Sequence, residues 1–94
     1  MSSSTAYGTL YLVATPIGNL GDMTERALTT LRNVSHIAAE DTRRTRGLLS
    51  HFGISGKELH ALDANASERA VGRVVTLLKE GQDVAFATDA GTPG

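Results

Sequence analysis

Cysteine is absent from the 94-residue sequence, which excludes both a disulfide framework and a thiolate metal site. The three histidines, His36, His51 and His60, lack the close spacing of a zinc motif, so no metal is expected. Long hydrophobic runs are missing as well: none approaches a membrane span. Met1 to Thr5 has neither the basic start nor the apolar core of a signal peptide, and the expected location is cytoplasmic. An excess of charge of either sign is also lacking. Nine basic and ten acidic side chains leave a net charge of −1, so any binding to nucleic acid or membrane must be local. The standard phosphate-binding fingerprints do not occur: no G-x-G-x-x-G follows the first apolar run, and there is no G-x-x-x-x-G-K-S/T. A chain this short makes one small domain, whose core buries about 60–65% of the unfolded surface.

What is present is organised around Leu10 to Asp22. The apolar run Leu10-Tyr11-Leu12-Val13-Ala14 reads as a strand buried on both faces, ended sharply by Pro16-Ile17-Gly18-Asn19-Leu20-Gly21-Asp22. A strand, a glycine-bearing loop and a helix in that order put backbone N–H groups at the carboxyl edge of a sheet, where open α/β folds bind ligands. Residues 1–8 are small and unpatterned and read as a flexible tail, leaving residues 9–94 as the domain. Asp22 stands as the expected N-cap of the first helix, with Glu25 at N3. Met23, Ala27, Leu28, Leu31 and Val34 share its inward arc.

Ser35 to Asp41 reads as a short second strand, closed by two carboxylates. Thr42-Arg43-Arg44-Thr45-Arg46 opens a second helix capped by Asp41 or Thr42. Thr45, Leu48, Leu49 and Phe52 face inward there, and Gly53 supplies a left-handed stop. Lys57 to Leu62 is the third strand. Asp63 to Ser67 is a capping loop, and Glu68 to Glu80 is a helix with Ala70, Val71, Val74, Val75, Leu77 and Leu78 on one arc. Asp83 to Thr88 is a fourth buried strand, and Asp89-Ala90-Gly91-Thr92-Pro93-Gly94 opens a second loop at the same edge as the first. Strands alternating with helices require right-handed crossovers and a parallel sheet, an α/β fold with helices on both faces.

Two loops rich in Pro and Gly at one edge suggest a ligand site, although such residues also simply turn a chain. Glu40 to Arg46 supports either acid–base chemistry with phosphate-binding arginines or a helix cap followed by solvated charges.

Pro16-Ile17-Gly18-Asn19-Leu20 with Asp22, Thr24 and Arg26-Ala27, then Ala39-Glu40-Asp41-Thr42-Arg43, Leu48-Leu49, Phe52-Gly53-Ile54 and Asp89-Ala90-Gly91-Thr92-Pro93 together resemble the tetrapyrrole methylase superfamily, in particular its branch acting on small-subunit ribosomal RNA. The resemblance covers residues 9–94. It implies the superfamily's N-terminal domain, with strand order 3-2-4-1-5 and the fifth strand and a second domain lying outside this sequence, so that the chain is a fragment inactive alone. It also implies S-adenosyl-L-methionine as cofactor, held by Pro16, Ile17, Gly18, Asp89, Ala90, Gly91 and Thr92, and a homodimer. The implied reaction is 2′-O-methylation of a cytidine in 16S ribosomal RNA. The family's His-Glu-His-Asn-Glu motif after strand three is replaced here by Leu62-Asp63-Ala64-Asn65-Ala66, so no histidine role carries over.

A ribose hydroxyl is a weak acid, and a strand-end carboxylate is the natural base or positioning group. Glu40, Asp41 and Asp89 all qualify, with Glu40 and Asp41 taken as the catalytic candidates. Arg43, Arg44 and Arg46 would hold RNA phosphates. Two rival readings are a methylase acting on a small tetrapyrrole, whose G-x-G-P-G-D pattern is missing here, and a non-catalytic α/β binding module.

Overall fold

The computed structural model describes residues 7–16, 18–63, 65 and 67–89. The elements run β1 (Leu10–Thr15), a 3-10 turn (Leu20–Asp22), α1 (Glu25–Asn33), β2 (His36–Ala39), α2 (Thr42–His51), β3 (Glu58–Ala61), α3 (Glu68–Lys79) and β4 (Val84–Asp89). The strands form one parallel sheet in the order β1-β4-β2-β3. This is the expected α/β fold, with the crossover that seats β4 between β1 and β2.

Each helix begins where a short polar side chain can take an orphan backbone N–H. Asp41 Oδ1 accepts from the Arg44 amide at 3.1 Å, and Ser67 Oγ from the Ala70 amide at 3.1 Å. For α1 the cap is Thr24, whose Oγ1 accepts from the Ala27 amide at 3.0 Å. The expected cap, Asp22, is instead the last residue of the 3-10 turn, which Asn19 closes by accepting from the Gly21 amide. Two tandem polar residues allow two starts, and the extended Met23 between them lets only Thr24 reach α1. Beyond the helix ends, Gly53 and Gly81 take the positive φ values of 70° and 88° that side chains resist.

The core lies in two layers. Val13, Ile37, Ala39, Ala85 and Ala87 of the sheet pack against Leu28 and Leu31 of α1 and Leu48 and Leu49 of α2. On the opposite face Ala38 and Val84 pack against Val74 of α3, with Leu77 and Leu78 beside them. Lys57 joins two elements: its Nζ donates to the Arg32 and Val34 carbonyls, both at 2.6 Å, at the end of α1.

Three expectations need correction. β1 is not buried on both faces, for Leu10, Tyr11 and Leu12 are exposed while Val13 and Thr15 are buried. It is an edge strand of the described sheet, and α3 packs over β3 and β4 rather than over it. Secondly, the arc expected for α3 is too wide. A helix buries a stripe of about 100°; Ala70, Val74, Leu77 and Leu78 fit within it, while Val71 and Val75 lie beyond it and are exposed. Thirdly, Gly8 does not belong to a free tail. Its amide donates to the Leu78 carbonyl at 2.7 Å, and a Cβ at this position would collide with the Gln82 carbonyl. Among the described residues, no helix is long and apolar enough to cross a membrane.

Candidate functional site at the carboxyl edge of the sheet

Parallel pairing sets Thr15 at the end of β1 level with Asp89 at the end of β4. The loop that opens at Pro16 therefore leaves the sheet beside the end of β4. The buried Thr15 fastens this junction, donating from Oγ1 to the Thr88 carbonyl at 2.9 Å. Gly18 is exposed, and a Cβ there would meet nothing within 4 Å, so its backbone is open to approach. Of the residues expected at a cofactor, Pro16, Gly18 and the Asp89 backbone lie at this edge, while Ile17, Ala90, Gly91 and Thr92 lie outside the described residues.

A cleft of about 320 Å3 opens beside Pro16, lined by Thr15, Leu20, Arg43, Arg44, Thr45, Gly47 and Leu48. That volume sits at the lower end of the range for small-ligand sites, roughly 300–1,000 Å3. Its wall combines apolar side chains with two guanidinium groups. A second, more open cleft of about 540 Å3 is lined by Glu40, Asp41, Thr42, Arg43, Arg46, Ala61 and Asp63. Arg43 borders both, so the two clefts adjoin across the first turn of α2.

Within this arrangement the expected residues separate by task. Asp41 is exposed but caps α2, so one carboxylate oxygen already accepts a backbone hydrogen bond. Glu40 is exposed at the end of β2. Arg43 and Arg46 project from the solvent side of α2, whereas Arg44 is half-buried and donates from Nη2 to the Pro16 carbonyl at 2.9 Å. That contact braces the first loop against α2, a role that charge patterning along the sequence does not disclose. Thr15 and Asp63 are further site residues the sequence reading did not single out. Position next to Pro16 was the available signal for Thr15, and the strand-end carboxylate was the signal for Asp63.

Away from this edge, β2–β3 pairing brings together two histidines that are far apart in sequence. His36 Nδ1 lies 3.2 Å from His60 Nε2, the rings 5.4 Å apart, and 3.4 Å from Glu58 Oε1. Burial holds the His60 pKa below its ordinary value; Glu58 pulls it upward, and His36 and Arg73 add to the lowering.

A family model described as Tetrapyrrole (Corrin/Porphyrin) Methylases matches residues 9–94. The chain belongs to the tetrapyrrole methylase family. Three relatives share the name ribosomal RNA small subunit methyltransferase I. The chain is 54% identical over 86 residues to the one from Xylella fastidiosa, covering 92% of the chain and 31% of that relative. It is 54% identical over 87 residues to the one from Synechocystis sp., covering 93% and 31% respectively. To the one from Escherichia coli O157:H7 it is 49% identical over 92 residues, covering 98% and 32%. The chain thus spans about a third of the length of these relatives.

Proposed function

We propose that this methylase chain supplies part of an S-adenosyl-L-methionine-dependent enzyme that methylates small-subunit ribosomal RNA at the ribose 2′-hydroxyl of a cytidine, acting as a homodimer. The observation that carries the reading is the β1–β4 register, which sets the Pro16 loop and Asp89 next to each other at the carboxyl edge. The names of relatives about half identical in sequence supply the substrate class.

In this reading Pro16, Ile17, Gly18, Asp89, Ala90, Gly91 and Thr92 hold the cofactor. The exposed backbone at Gly18 and the partly apolar cleft beside Pro16 fit a nucleoside with a charged tail. S-adenosyl-L-methionine supplies an electrophilic methyl group when bound. The chain's own task is to orient a hydroxyl oxygen in line and take up its proton, a role assigned here to Glu40 or Asp41, both of which line the second cleft. Arg43 and Arg46, both exposed, hold phosphates flanking the target ribose, while Arg44 braces the cofactor loop.

Asp41→Asn separates catalysis from capping, because Asn caps a helix as well as Asp does but cannot accept the proton. In a protein of the relatives' full length, transfer of labelled methyl to 16S ribosomal RNA should fall at least about tenfold with thermal stability unchanged. Unchanged transfer would reassign Asp41 to the cap alone and leave Glu40 as the base. Labelled methyl appearing on a porphyrin substrate, with none on RNA, would instead establish the small-molecule reading.

A further inference from the structure

We propose that His36, Glu58 and His60 bind a zinc-class divalent cation across β2 and β3. The site is made by strand register. Parallel pairing sets His36 opposite Glu58 and Ala38 opposite His60. Alternation along each strand then turns all three side chains to the face that carries α3. One donor atom from each residue lies within 4.8 Å of the others.

Two of the three separations are close to those a tetrahedral ion imposes, and the third, Glu58 to His60, is within 4.8 Å. With metal–nitrogen and metal–oxygen bonds of about 2.0–2.2 Å, neighbouring ligand atoms stand about 3.3–3.5 Å apart. Here they stand 3.2 Å apart for the two imidazoles and 3.4 Å apart for His36 and Glu58. Two imidazole nitrogens and one carboxylate oxygen suit zinc rather than calcium or magnesium, which demand all-oxygen cages. His60 is buried, His36 is half-buried and Glu58 is exposed, so one side of the cluster is anchored and the other admits the ion and a water as fourth ligand. The Arg73 cation on α3 opposes a bound ion, and the Glu58 carboxylate offsets it. His36 and Glu58 open β2 and β3, at the strand ends away from Thr15 and Asp89, so occupancy would clip β3, an edge strand, to β2 without entering the proposed cofactor edge.

The test is Zn2+ alone, titrated by calorimetry into chelator-stripped protein, with histidine ring nitrogens followed by long-range 1H–15N NMR. Saturable binding of one ion per chain should shift the His36 and His60 ring nitrogens and leave those of His51, which is exposed and stacked edge-on against Phe52, unmoved. His36→Gln and Glu58→Gln should each weaken binding by more than the roughly tenfold cost of losing an outer-shell partner. Both positions admit solvent, so they report even if the buried His60→Gln fails to fold. Co2+ in place of Zn2+ should give the intense visible absorption of a four-coordinate ion. Absence of saturable binding, an equal response at His51, or unchanged affinity in His36→Gln would each overturn the proposal.

Discussion

Arg44 holds the Pro16 carbonyl from a half-buried position, and a shorter neutral side chain cannot span that 2.9 Å contact with the same strength. Arg44→Gln should therefore cost about 1 kcal/mol in urea unfolding and speed amide exchange in the loop around Gly18. Arg46→Gln, on the exposed side of the same helix, should stay within about 0.5 kcal/mol of the parent. In a protein of the relatives' full length, the Arg46 change should instead make the logarithmic salt slope of RNA binding shallower by roughly 0.7–0.9, one phosphate contact's worth. An unaltered slope would return Arg46 to plain solvated surface. Gly8 makes a sharper case. A methyl group there meets the Gln82 backbone, which has no rotamer to yield, so Gly8→Ala should cost about 1–3 kcal/mol by the same unfolding measurement.

Lys57 Nζ satisfies two carbonyls where α1 stops, and its charge faces the negative end of that helix dipole. Lys57→Met keeps the aliphatic stem but removes both hydrogen bonds, and should lower stability by about 1–2 kcal/mol, read as a reduced melting temperature. The sequence disclosed such features only where they were local. Asp41 as a cap, Gly53 as a left-handed stop, and the inward arcs of α1 and α2 all follow from residues within a turn of one another. The α1 cap was misplaced by two residues because Asp22 and Thr24 both satisfy the local rule, and the intervening 3-10 turn decides between them. Lys57 reaching back to Arg32, or His60 meeting His36, depends on how strands register in space, which no short-range pattern encodes.

For the molecule as a whole, alternation of strands and helices implied a parallel sheet, but the neighbours of each strand were legible only through family resemblance. Seating β4 between β1 and β2 brings the Pro16 loop and Asp89, distant in sequence, to one edge. The same topology leaves the apolar Leu10 and Leu12 exposed on β1, contrary to what a continuous hydrophobic run suggests, since that pattern records composition rather than a strand's place in the sheet. The proposed function places the cofactor at the edge where β1 and β4 end. The most direct measurement is amide chemical-shift mapping of S-adenosyl-L-methionine on a labelled protein of the relatives' full length, paired with calorimetry of Asp89→Asn. Shifts should concentrate at Thr15, Gly18, Thr88 and Asp89, together with weakened affinity in the variant. Saturable binding whose shifts fall elsewhere, at undiminished affinity in Asp89→Asn, would contradict that placement.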